Sequence, residues 1–302
     1  MLRNVLVIGS ALGFAISLAA ETARSQPTLT AAQIVDKNVA ARGGLDAWRT
    51  VKTMSLAGKM GVGGNQRATL QVPGSAPTQV VGRKNPAFVL PSRPAEEAKL
   101  PFLMELARPR KMRFELEFAG QTAIQVYDGV HGWKLRPFLN RRVVEPFSED
   151  ELRVSATQAD LDGALVDYAA KGTRVELVGT EKVENRDTYK IKMTMQSGQT
   201  QHVWIDAETF LEAKIEGQPR RMDGTDHPVE VYFRDYKVIE GGLQVPFILE
   251  TRVLPVRIVA GGFRDTPVPP ERITIEKVVV NPKFDEALFT RPDAGPATAK
   301  VQ

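Results

Sequence analysis

The chain has 302 residues, 42% hydrophobic, 25% charged and 7% aromatic, an ordinary globular composition that excludes a disordered or collagenous protein. Its 40 basic and 36 acidic residues leave a formal charge of +4, an excess too small for dedicated nucleic-acid binding. The absence of cysteine excludes a thiol nucleophile, Cys-ligated zinc or iron–sulfur, any disulfide and a lipidated N-terminal cysteine.

The first segment reads as a targeting device. Arg3 precedes an almost uninterrupted apolar run of 16 residues from Val5 to Ala20, broken by Ser10 and Ser17, and Ala23-Arg24-Ser25 places small residues where a signal peptidase cuts. The run is shorter than the roughly 20 residues of a spanning helix, so residues 1–25 are expected to be a signal peptide removed after Ser25. Cleavage leaves 38 basic and 35 acidic residues on an exported, soluble periplasmic chain.

Thr30-Ala31-Ala32-Gln33 has the form of a capping box, which predicts a helix carrying Ile34, Val35 and Val39 on one face and ending at Gly43-Gly44. Leu45, Trp48 and Val51 predict a second short helix. After Lys52 the apolar period changes to two. Met54, Leu56 and Met60 alternate with small and polar residues, as do Met112, Phe114, Leu116 and Phe118, and then Ile124 and Val126. The pattern returns at Ile191, Met193 and Met195, at Ala213 and Ile215, at Val229, Val231 and Phe233, at Val245, Phe247 and Leu249, and at Ile273 and Ile275. Asp128-Gly129, Ser197-Gly198 and Gly241-Gly242 mark turns between runs. One-sided alternation with short connections predicts an antiparallel meander with one apolar face that must be covered.

Two stretches interrupt the meander. Residues 61–101 contain three glycines near their start and six prolines and read as a long surface excursion rather than central strand. Residues 148–170 open with Ser148 and an acidic first turn and then carry Leu161, Ala164, Leu165 and Tyr168 at helical spacing, predicting a helical pair able to lie across the apolar face. The domain plan is therefore a signal peptide over 1–25, a single domain over 26–292 and a flexible tail over 293–302.

The sequence is poor in recognisable chemistry. His131, His202 and His227 show no metal-ligand spacing, and there is no Gly-x-Ser-x-Gly elbow, phosphate loop or dinucleotide fingerprint. Asp160-Leu161-Asp162-Gly163 lacks the remaining ligands of a calcium loop and reads as a turn beside a helix. Asp206 and Glu208 read as a solvated hairpin end, with a catalytic carboxylate pair as the rival reading. No catalytic residue, metal or cofactor is expected.

Several segments carry a family resemblance: Ala41-Arg42-Gly43-Gly44-Leu45-Asp46-Ala47-Trp48, Arg108-Pro109-Arg110-Lys111-Met112-Arg113, Val126-Tyr127-Asp128-Gly129-Val130-His131-Gly132-Trp133, Ala159 to Tyr168, Val245-Pro246 and Phe289-Thr290-Arg291-Pro292. In this order they resemble outer-membrane lipoprotein-sorting proteins of the LolA/LolB-like superfamily. The resemblance implies an α+β fold, a curved, incomplete antiparallel β-barrel with helices covering its concave face and a cavity for acyl chains. The apolar sides of the strands then supply the expected lining: Met54, Leu56, Met112, Phe114, Leu116, Phe118, Ile124, Met193, Met195, Val231 and Phe233, with Leu161 and Leu165 from the covering helices. The implied role is carriage of lipid or lipoprotein acyl chains between inner- or outer-membrane transport partners, with no nucleic-acid partner. The alternatives are an envelope-stress sensor or adaptor that binds a membrane protein through the same fold, and a periplasmic hydrolase.

Overall fold

A computed structural model describes residues 29–63, 97–137, 141–222, 225–257, 263–264 and 269–293. The expected signal peptide, most of the 61–101 excursion and the tail beyond 293 lie outside them. Helix α1 (Ala31–Ala41) starts at the predicted capping box, with Gln33 N donating to Thr30 Oγ1 and Thr30 N to Gln33 Oε1. Helix α2 (Leu45–Thr50) follows the Gly43-Gly44 turn. Gly43 is fixed there by a φ of 111° and by Gly242 O, which a Cβ would approach to 2.7 Å.

The strands in chain order are β1 (Thr53–Gly63), β2 (Glu97–Ala107), β3 (Lys111–Phe118), β4 (Gln121–Tyr127), β5 (Gly132–Arg136) and β6 (Arg141–Pro146). After helix α3 (Glu149–Gln158) come β7 (Arg174–Val183), β8 (Arg186–Thr194), β9 (Thr200–Asp206), β10 (Glu212–Met222), β11 (Thr225–Val238) and β12 (Gln244–Val253). The short pair β13 (Val256–Arg257) and β14 (Phe263–Arg264) precedes β15 (Glu271–Val280). Thirteen strands form one antiparallel sheet in the order β6-β5-β4-β3-β2-β1-β15-β12-β11-β10-β9-β8-β7. The sheet is open, since β6 and β7 are its two edges. The described chain is thus mostly β with three α-helices, which corrects the expected α+β balance.

The sheet is bent around the helices. At about 4.8 Å between strands, β2 and β10 would lie about 24 Å apart in a flat sheet. Three contacts span them instead: Arg108 Nη2 to Asp162 Oδ2 at 2.6 Å, Arg42 Nη1 to the Asp162 carbonyl at 3.0 Å, and Arg42 Nη1 to Glu212 Oε1 at 3.2 Å. One continuous core accordingly unites residues of α1, α2, β1–β4, β8, β9, β12 and β15.

Consecutive antiparallel strands turn alternately at two ends. The first end holds α1, α2 and the starts of β1, β3 and β5; the second holds the far ends of those strands. Residues 147–173 run from the first end of β6 to the second end of β7. Here the expected helical pair is corrected: only α3 is helical, and 160–172 is a chain of turns. Gly163 and Asp167 have φ of 79° and 52°, which no helix accommodates. The Ser148 cap forms as predicted, and Glu151 also accepts from Lys134 Nζ at 2.6 Å and Arg136 Nη2 at 3.0 Å, holding α3 on β5.

Both edges of the expected excursion are strand instead, because β1 reaches Gly63 and β2 begins at Glu97. The segment after β15 wraps the outer face: the turn Glu286–Phe289 packs on β3, and Arg113 Nη1 donates to Leu288 O.

Candidate functional site

The inner face of the sheet changes character from the first end to the second. The register sets Met54, Leu106, Met112 and Tyr127 side by side across β1–β4, and all four are at most 6% exposed beneath the helices. Two residues nearer the second end, the row Leu56, Met104 and Phe114 is only half-buried. In the next row Gly58 leaves room for Phe102, whose ring lies 3.0 Å from where a glycine Cβ would stand and stacks on Phe114 at 5.9 Å. Leu116 pairs with Phe102 and is half-buried, and Phe118 at the lip is 45% exposed. Across the barrel Met193 is fully buried, whereas Met195, Ile215, Leu249 and Ile273 are half-buried. The first half is a filled core; the second is a partly open apolar wall.

The expected lining divides along the same boundary. Met54, Met112, Met193, Leu161 and Leu165 belong to the filled half. Leu56, Phe114, Leu116, Phe118 and Met195 belong to the open half, and the register sets Val231 opposite Ile215 and Phe233 opposite Leu249 on the same wall. Ile124 is a correction. It pairs with Glu115 and Leu135 on the outer face, beside Val126, which pairs with Arg113 in the region wrapped by the C-terminal segment. Phe102, Met104, Leu249 and Ile273 were not singled out from sequence as lining. Their alternation was the available signal.

The first end is closed by polar groups instead. Asp162, with a side chain 1% exposed, accepts from Arg108 at 2.6 Å and from Lys171 at 2.5 Å, and Lys171 also donates to Asp160 and to Gly163 O. Burial pushes the Asp162 carboxyl up, but the hydrogen bonds from Lys171 and Arg108 outweigh it and hold the group below the ordinary range. Burial keeps Asp160 above that range against the pull of Lys171. Arg42 lies over the Trp48 ring at 4.6 Å and bonds Glu212, which also accepts from Tyr236 Oη at 3.1 Å. Burial, followed by the Glu212 charge, raises the Tyr236 phenol well above its usual value. Asn38 Oδ1 in α1 and Nε of Arg42, the residue that caps this helix, are buried without a hydrogen-bond partner. Arg49 grips Asp167 through two bonds of 2.9 and 2.6 Å. The cluster ties 160–171 to α1, α2 and β2. Its carboxylates are mostly engaged by cations, an arrangement suited to holding chain segments together.

The carboxylates of the rival catalytic reading occupy a turn. Asp206 is 3% exposed and accepts from the backbone N–H of Glu208 at 3.0 Å and of Thr209 at 2.8 Å, while Glu208 is exposed. Burial raises the Asp206 pKa, and these N–H donors more than reverse it. Among the described residues no group of three or more His, Asp or Glu side chains is placed to hold a metal ion, and no helix is long and apolar enough to cross a membrane.

No protein-family model and no curated protein sequence matches the chain. Solved structures similar to it include an outer membrane lipoprotein-sorting protein domain from Vibrio parahaemolyticus, at 12% identity and TM-score 0.48 over 86% of this chain and 95% of that one. A LolA superfamily protein from Nitrosomonas europaea is similar at 14% identity and TM-score 0.47, covering 87% and 98%. A DUF1329 family protein from Desulfovibrio piger is similar at 13% identity and TM-score 0.48, covering 85% and 95%.

Proposed function

We propose that this protein is an exported binding protein for acyl chains of lipids or lipoproteins, a carrier that takes up and hands on its guest without altering it covalently. The observation that supports this reading is the half-buried apolar wall of Leu56, Met104, Phe114, Leu116, Met195 and Ile273 on the inner face of an open sheet. Transfer of about 16 methylenes onto such a wall offers on the order of 12 kcal/mol, before the costs of association and ordering. Unbranched methionines among these residues let the wall repack around different guests. Export rests on Arg3, the following apolar run and Ala23-Arg24-Ser25, and the secreted chain begins at Gln26.

The test is displacement of a fluorescent fatty acid from the purified chain 26–302, with lipid extraction and native mass spectrometry of the same material. Saturable probe binding that Leu116→Asp weakens at least tenfold, with Glu117→Gln unchanged, supports the carrier. A chain that binds no acyl probe and carries no extractable lipid overturns it.

A further inference from the structure

The dispersed charges of the sequence are not dispersed in the fold. In the last three residues of each strand, the second end of the sheet presents ten basic and four acidic described side chains, and four of the ten basic ones pair with Glu151 or Glu250 outside that count. The first end presents seven basic and six acidic, Lys134 midway along β5 counting at both. With Glu151 and Glu250 included, the second end keeps an excess of four basic side chains, against one at the first end. Several of its cations are uncommitted: Lys99, Arg142 and Arg174 are exposed, and their side chains make no hydrogen bond or ion pair among the described residues. Lys99 opens onto a cleft of about 350 Å³ shared with Lys59, Arg272 and Glu250, in which Arg272 is paired with Glu250 and Lys59 with Glu276. Phe118, 45% exposed, stands at this same end, where the inner wall is half-open.

An exposed aromatic, three uncommitted cations and an apolar opening at one end of a molecule together match a bilayer surface, where rings sit at headgroup level and basic side chains meet lipid phosphates. We propose that the second end docks on an anionic phospholipid surface. The open half of the inner wall then faces the leaflet, and an acyl chain moves between bilayer and wall without crossing water. This rests on the carrier reading for its purpose but on the charge distribution for its existence.

The test is sedimentation of the chain 26–302 with unilamellar vesicles of phosphatidylcholine, alone or with about 30% phosphatidylglycerol. Retention is expected on the anionic vesicles only and should fall as salt is raised. Each neutralised cation should weaken it about fivefold, so Lys99→Gln, Arg142→Gln and Arg174→Gln together should weaken it about 100-fold. Lys182→Gln, Lys237→Gln and Lys283→Gln, placed away from this end, should leave it within about twofold. Equal retention on neutral vesicles, an unaffected triple variant, or capture by a sulfated-glycan resin with none by vesicles overturns the proposal. Probe binding without vesicle retention removes the docking and leaves the carrier; vesicle retention without probe binding does the reverse.

Discussion

Replacing Asp162 by alanine should loosen the closed end measurably. The carboxylate is 1% exposed and holds Arg108 at 2.6 Å and Lys171 at 2.5 Å, and removing one partner of a buried ion pair costs about 3–5 kcal/mol. The lower figure applies, for two reasons: Arg108 and Lys171 retain 30% and 16% side-chain exposure and recover some hydration, and Asp160 still accepts from Lys171 at 2.8 Å. A loss of about 3 kcal/mol corresponds to a drop in Tm of about 6–12 °C for a domain of this size. Asp162→Asn, which keeps an acceptor for one of the two cations, should fall between wild type and alanine. The assay is urea and thermal unfolding followed by circular dichroism, with Asp150→Ala as control, since the Asp150–Arg153 pair is 81% and 68% exposed and should not move Tm resolvably. A shift for Asp162→Ala no larger than the control's would refute the view that this cluster fastens 160–171 to the barrel.

Charge placed on the inner wall should be expensive and its neighbours indifferent: Phe114→Asp should unfold the protein or abolish acyl-probe binding, while Glu115→Gln, on the outer face, should do neither. Gly132→Val should destabilise by about 1–3 kcal/mol, because a Cβ there would meet Phe147 Cδ2 at 1.9 Å; a stable variant would show that Phe147 can move. Hydrogen bonding to Arg234 lowers Glu184 from 4.5 to about 2, so its contribution is present above pH 4.5 and lost as pH falls toward 2, and Glu184→Gln should flatten the acid limb of the stability curve. If 148–170 swings aside to admit a guest, hydrogen exchange should be faster there than over 112–118 in the empty protein and slow on lipid binding; unchanged exchange at full occupancy would make it fixed core.

Period-two alternation was enough to find β1, β3, β4, β8, β10, β11, β12 and β15, and the Thr30 capping box located α1. It did not find β2, because Pro101 sits inside it. The ladder from β2 to β3 stops at Phe102 opposite Leu116, so Pro101 has β1 on one side only, and a residue without an N–H is tolerated at such a local edge. Helical spacing likewise misled over 161–168. Leu161, Leu165 and Val166 are buried as that spacing implies, but the positive φ of Gly163 and Asp167 and the engagement of Asp162 by two cations favour turns.

The site was legible only as far as a strand reveals its own faces. Alternation separates Phe114 from Glu115, yet it cannot say which face of a neighbouring strand turns inward when something covers both. Ile124 and Val126 alternate as cleanly as Phe114 and Leu116, but they lie on the side wrapped by 282–293, more than 150 positions later in sequence. The ends of the barrel are hidden for a related reason. Strand direction reverses at every turn, so Lys99, Arg142, Arg174 and Arg272 reach one end from the starts of four strands, separated by tens of residues. A sequence in which basic and acidic residues are nearly balanced therefore folds with its small basic excess gathered toward one end. The same reversal puts that end beside the open half of the apolar wall.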